Sequence, residues 1–313
     1  MSKYRQDLPQ LSGDLFLTDG GIETTLIFLD GLELPHFAAF DLLKRGDGRA
    51  ALTRYFRTHA SIAKAHGVGF ILESPTWRAS ADWAALLGYT KDELAEANRE
   101  SVALMEEIRG EFEDDRTRMV ISGCVGPRGD GYNPAGQMTP EEAERYHAEQ
   151  IGTFSRTNAD MITAITMTNA EEAIGVARAA RVAGLPVVIA FTVETDGRLP
   201  TGQSLKDAIE AVDAATGGAP AYYMINCAHP THFQDALATG EAWVKRIRGL
   251  RANASTLSHA ELDQAEELDD GDPQELGRQH GALKGRFDHI NVFGGCCGTD
   301  HRHVEAICKA CAA

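Results

Sequence analysis

Residues 161–192 read MITAITMTNAEEAIGVARAARVAGLPVVIAFT. Met161–Thr166 is a short apolar run of strand length, and Ala170–Ala183 carries its apolar residues at helical spacing. Gly184-Leu185-Pro186 stops that helix and feeds a second apolar run, Val187–Thr192. Two strands joined through a helix form the unit of a parallel sheet. The alternation extends both ways. Leu15–Thr18, Val68–Glu73 and Met119–Cys124 read as strands before it; Tyr222–Asn226, a weaker run near Arg248–Ala252, and His289–Phe293 read as strands after it. Amphipathic stretches Ala50–His66, Lys91–Phe112, Pro140–Ala159 and Ser204–Ala215 lie between them. Thr139-Pro140-Glu141-Glu142 offers an N-cap, a proline at the first helical position and acids on the positive end of the helix dipole. Thr90 with Glu93 fits a capping box.

Eight strands alternating with helices in 313 residues predict one α/β domain, 1–313, closed as a single (β/α)8 TIM barrel. An open doubly wound sheet is the competitor. It would carry a glycine-rich phosphate loop after its first strand, and Asp19-Gly20-Gly21 is a turn of another kind. Residues 253–285 are irregular and acidic and read as a solvated excursion between strands seven and eight.

A formal net charge of -16 argues against nucleic acid or an anionic membrane surface as partner. No run reaches the roughly 18 apolar residues of a membrane span, and the first 13 residues hold no signal-peptide core, so a soluble, cytoplasmic protein is expected. In that setting six cysteines point to metal binding or catalysis more than to disulfides.

Three cysteines fall at C-terminal strand ends, the catalytic face of a barrel. Cys227 follows Met224-Ile225-Asn226, and Cys296 with Cys297 follows Val292-Phe293-Gly294-Gly295. Adjacent residues in a strand point to opposite faces, so both members of the pair reach one ion only where the backbone leaves the strand. Gly294, Gly295 and Gly298 are expected to give that freedom. Three thiolates leave tetrahedral Zn2+ one ligand short, the mark of a catalytic site. They also make the ion a poor activator of water and a good holder of a substrate thiolate. A vicinal disulfide, or ordinary buried thiols, would read the same residues without chemistry.

At these residues the chain resembles the homocysteine S-methyltransferase family. The likeness runs from about Leu15 to Ile307. It takes in Asp19-Gly20-Gly21-Ile22-Glu23-Thr24, Glu73-Ser74-Pro75-Thr76-Trp77, Gly126-Pro127, Thr201-Gly202-Gln203, Asn226-Cys227 and Gly294-Gly295-Cys296-Cys297-Gly298-Thr299. The resemblance implies zinc on Cys227, Cys296 and Cys297, and methyl transfer from an activated donor to the sulfur of L-homocysteine, giving methionine. It places Asp19 and the Gly20–Gly21 backbone against the bound amino acid, with Glu23 and Glu73 as further substrate contacts and Asn226 beside the ligands. One departure stands out: where many members end strand four in a Glu that holds the amino group, this chain has Ile165. Strand seven departs too, with Arg251-Ala252-Asn253-Ala254-Ser255.

The partners so implied are a small thiol acceptor and a methyl donor. S-methylmethionine or S-adenosylmethionine is favoured as donor over a folate, because one barrel leaves no separate cobalamin or folate domain. Another thiol or selenol, such as selenocysteine, is the alternative acceptor. A zinc hydrolase and a non-catalytic zinc or redox thiol protein are the rival classes. His301 and His303 are expected in the first turn of the last helix, capped by Thr299 or Asp300; His229 and His232 are weak pocket candidates. Cys308 and Cys311 read as a fraying tail, and Cys124 as a small buried residue.

Overall fold

The computed structural model describes residues 2–134 and 136–312. Met1, Ala135 and Ala313, which the single-domain reading includes, lie outside the described residues. Strands β1 (Phe16–Leu17), β2 (Gly69–Glu73), β3 (Met119–Val125), β4 (Met161–Met167), β5 (Val187–Phe191), β6 (Tyr222–Asn226), β7 (Ile247–Ala252) and β8 (Val292–Gly295) pair in parallel in chain order. β1 closes on β8 through Phe16 opposite Val292. The expected barrel is therefore present. Its crossover helices are α1 (Gly46–His66), α2 (Lys91–Phe112), α3 (Pro140–Ser155), α4 (Ala170–Ala183), α5 (Leu205–Thr216), α6 (Pro230–Leu237) and α7 (Pro273–Arg286), and α8 (His301–Cys311) follows the last strand. Among the described residues no helix is long and apolar enough to cross a membrane.

Two apolar layers follow from strand alternation. Leu17, Phe70, Leu72, Ile121 and Phe293 face outward and bury the helices' apolar stripes. Phe16, Ile71, Val120, Met161, Val188 and Tyr222 fill the barrel interior, and that inner stack ends upward in Cys124 and Ile165. Two residues along β2 from the inward Ile71 stands Glu73, so the pleat delivers a carboxylate to the mouth of the barrel.

The expected capping box of Thr90 with Glu93 is present, and the expected N-cap Thr139 also forms one with Glu142. Thr139→Ala removes the side chain that accepts from the Glu142 N–H. It should cost about 1 kcal/mol, a fall of roughly 1–2 °C in Tm for a chain of this size. An unchanged melting curve would show that the box contributes nothing.

Several expectations need correction. Residues 253–285 are not wholly irregular: Pro273–Arg286 is the β7–β8 crossover helix, started by Asp272, whose side chain accepts from Gln274 and Glu275 N–H. A short helix, His259–Asp263, precedes it. The last strand begins at Val292, not His289. The His289 ring bonds the Val244 carbonyl, and the Asn291 side chain bonds the Gln10 and Asp14 carbonyls while its backbone makes the first bonds to Arg248 and Phe16. α3 stops at Ser155, where Ser155 and Thr157 hydroxyls turn back onto the Gly152 and Phe154 carbonyls. Cys308 and Cys311 do not fray: both are buried on α8 and join the outer core. As expected, Asp300 caps α8 and His303 completes its capping box.

Candidate metal centre and substrate cavity

The thiols of Cys227, Cys296 and Cys297 lie within 4.8 Å of one another at the C-terminal mouth of the barrel. Cys227 directly follows β6 with φ of 52°, in the left-handed region that costs a non-glycine residue about 1–3 kcal/mol. On the other side the chain leaves β8 after Gly295. Cys296 still takes a ladder bond from its N–H to the Ala252 carbonyl, and Thr299 closes the turn by bonding the Cys296 carbonyl with both N–H and hydroxyl. Of the three glycines expected to free this backbone, only Gly298 has positive φ, 78°. Gly294 and Gly295 remain in the strand, where any Cβ would strike the Thr18 or Thr299 hydroxyl. Gly20 and Gly21 have the same steric role: a Cβ on Gly21 would sit 2.5 Å from the Cys296 carbonyl. The two glycine pairs let the β1 loop press against the cysteine turn.

Each thiol has one hydrogen-bonding neighbour outside the trio. Tyr132 Oη is 3.4 Å from Cys297 Sγ, Thr166 Oγ1 is 3.8 Å from Cys227 Sγ, and Asn226 Nδ2 is 3.9 Å from Cys296 Sγ. Asn226 is itself fixed, its Oδ1 accepting from Thr166 N–H and its Nδ2 donating to Thr166 Oγ1. Thr166 lies within the register shift of β4 between Ala164 and Met167 and also has positive φ, 64°. Cys227 and Cys297 Sγ stand 3.9 Å apart. That is far beyond a disulfide bond, and near the roughly 3.8 Å sulfur separation of a tetrahedral ion with 2.3 Å bonds. Hydrogen bonds from the other two thiols, together with the field of Arg251, hold Cys296 well below the usual thiol range. Bonding to the other two and burial push Cys227 well above it. Three thiols this close conflict over ionisation, and a divalent cation removes the conflict. The donor set thus fits zinc.

A cavity of ≈ 150 Å³ opens beside the thiols, and Ile165 forms part of its wall. Arg251, an inward residue of β7, is 5% exposed. Its Nη2 donates to Asp19 Oδ1 at 2.7 Å, and its Nε donates to the Gly295 carbonyl at 3.1 Å. The other Asp19 oxygen accepts from Tyr55 Oη. Asp19 lines the cavity as the sequence led us to expect, yet its charge is already paired. The Gly21 N–H likewise donates to Thr299. Glu73 differs: it is buried, and neither carboxylate oxygen has a hydrogen-bond partner. Burial raises its pKa to about 7, while the charge of Arg251 and the nearby Ser122 and Thr163 hydroxyls, which bond each other and not the carboxylate, pull it back. Glu23 also lines the wall, raised to about 7 by burial, with Cys296 and Asp19 pushing the same way.

The roof comes from loops. Tyr132 stacks on His259 with centroids 4.1 Å apart. The ring nitrogens of His259 meet the Cys227 carbonyl at 2.7 Å and Glu194 at 3.0 Å. The β7–β8 excursion therefore folds back over the cysteines, and Asp263 reaches the cavity wall. Trp77 and Arg78 form the rim, the guanidinium lying between the Trp77 and Trp83 rings. His229 caps α6. Neither it nor His232 is among the lining residues.

A sequence profile of the homocysteine S-methyltransferase family matches residues 16–311. The chain belongs to that family. It is accordingly a methyltransferase, and homocysteine methylation is the activity of its family. Among solved structures it is similar to the homocysteine methyltransferase MmuM from Escherichia coli. The oxidised form matches at 17% identity and a TM-score of 0.76, covering 97% of this chain and 99% of that one. The metallated form matches at 17% and 0.73, covering 95% and 96%. At such identity the likeness is one of fold. No curated protein matches this sequence.

Proposed function

We propose that this family member, as a single-barrel unit, moves a methyl group from a sulfonium donor, S-methylmethionine or S-adenosylmethionine, to the thiol of L-homocysteine. In this reading Cys227, Cys296 and Cys297 hold Zn2+. The observation that carries it is the trio of thiols, each with its own hydrogen-bonding neighbour, beside a cavity with a buried unpaired carboxylate. Zinc with three thiolates would bind the acceptor sulfur as a thiolate and leave it nucleophilic. The chain's own groups do the rest. Asn226 and Tyr132 steady the ligand sulfurs, Ile165 and the aromatic roof keep water out, and Glu73 receives the ammonium. The thiol proton leaves to solvent. The sulfur lone pair forms the new S–CH3 bond, the donor's C–S bond breaks, and its electron pair stays on the departing neutral thioether.

Adding homocysteine to the zinc-loaded protein should change the zinc X-ray absorption from three sulfurs and one light atom to four sulfurs. A proton should be released as the incoming thiol ionises. With S-methylmethionine present, methionine should then form. An unaltered coordination shell at saturating homocysteine would end the direct-thiolate reading.

A further inference from the structure

Among the described residues, the buried side-chain polar atoms that line the cavity without a hydrogen-bond partner belong to Glu73, Arg78 and Arg251. Arg78 is closed off between two indoles, and its Nη1 donates to the Gly129 carbonyl. Glu73 and Arg251 stand on inward positions of the barrel and line the same cavity as the thiols. Arg251 pairs in register with Gly294, and its Nε bonds Gly295, next to Cys296. The guanidinium is a rigid fork of five N–H donors. Here Nε and Nη2 are fixed by Gly295, Asp19 and Gly20, while Nη1 is left with nothing to donate to. A buried donor of this kind is costly unless a ligand completes it. The backbone alternative is partly closed, because the Gly21 N–H already donates to Thr299.

We infer that Arg251 holds the α-carboxylate of the acceptor, making it a specificity-determining residue of this chain. This rests on the homocysteine reading above. With the sulfur at the cysteines, the carboxylate on Arg251 Nη1 and the ammonium on Glu73, an amino acid thiol is pinned at three points. Asp19, bound to the opposite side of the fork, fixes the guanidinium and does not touch the ligand in this arrangement. Nη1 keeps its N–H donors on a cation whose other nitrogens are already fixed, which the single ammonium of a lysine on its flexible stem does not reproduce.

The test measures calorimetric dissociation constants on zinc-loaded protein for homocysteine, decarboxylated homocysteine and deamino-homocysteine, with zinc content recorded for every variant. Wild type should bind the decarboxylated thiol about 10- to 150-fold more weakly than homocysteine. R251Q should bind homocysteine that much more weakly and show no further loss on the decarboxylated thiol, since both changes delete one contact. R251K keeps a cation beside Asp19, and it decides the matter if R251Q does not fold or hold zinc. It too should lose the preference for a carboxylate. Wild-type affinity for homocysteine in R251K, or equal binding of the first two thiols by wild type, would overturn the assignment. If deamino-homocysteine binds wild type as tightly as homocysteine while the decarboxylated thiol does not, the homocysteine reading fails. Arg251 then remains the carboxylate site, for a thiol carboxylic acid.

Discussion

Serine at any one of positions 227, 296 or 297 should leave the protein folded but strip it of zinc and of methyl transfer together. Three-sulfur coordination divides a binding energy of order 10–16 kcal/mol among few ligands, so losing one should lower zinc affinity by at least about 100-fold. Turnover should fall by a similar factor or more, because the acceptor thiol then has nothing to ionise on. Serine is nearly isosteric, and in the metal-free protein it relieves three thiols crowded within 4.8 Å. The melting temperature of each variant should therefore match that of chelator-treated wild type and lie below that of the zinc-loaded protein. Metal analysis alongside a methionine-forming assay checks this. A variant with full zinc and full turnover would remove that cysteine from the centre. One that melts far below the metal-free wild type would mark the residue as structural.

Much of this arrangement was legible in the sequence, and for identifiable reasons. Strand alternation and helix caps are local, so the barrel could be read from 161–192 outward. The cysteines could be placed because each follows an apolar run at a strand end. Arg251 was overlooked as a site residue because an arginine in a weak strand ordinarily faces solvent. The overlooked signal was its spacing of two from Gly249, which shares its inward face. Cys308 and Cys311 were misjudged by their nearness to the chain end. Val304, Ile307, Cys308 and Cys311 form a helical stripe at intervals of three, one and three, and that stripe is buried. The helix from Pro273 was hidden by acidic neighbours although Asp272-Pro273 is a start signal. Tyr132, His259 and Glu194 were beyond sequence reasoning, since their meeting depends on three loops folding over one mouth.

Glu73→Gln should raise the acceptor KM by about 10- to 150-fold while zinc content stays at the wild-type level. The ammonium of an amino acid needs a charged partner inside a cavity shielded from water. Ile165 offers none, and Asp19 is held by Arg251 and Tyr55. Glu73 presents two oxygens with no partner of their own. Losing one charge-assisted bond costs roughly 1.5–3 kcal/mol, which sets the size of the effect. The pH dependence adds a second check. Burial lifts the Glu73 pKa to about 7. Below that pH the carboxyl is neutral and cannot hold the ammonium, so acceptor kcat/KM should fall as pH drops through 7, and Glu73→Gln should take about one unit of slope out of that limb. Stability gives a third check, with the opposite sign. A carboxyl titrating near 4.5 when unfolded and near 7 when folded is penalised progressively from pH 4.5 upward, by at most about 3 kcal/mol above pH 7. The uncharged amide escapes that penalty, so the variant should melt no lower than wild type at pH 8 and lose any such advantage at pH 4. A residue retained for the fold would show the reverse, a variant less stable at pH 8 with its KM unmoved. A carboxylate that costs the fold and serves the acceptor is what the unpaired oxygens of Glu73 describe.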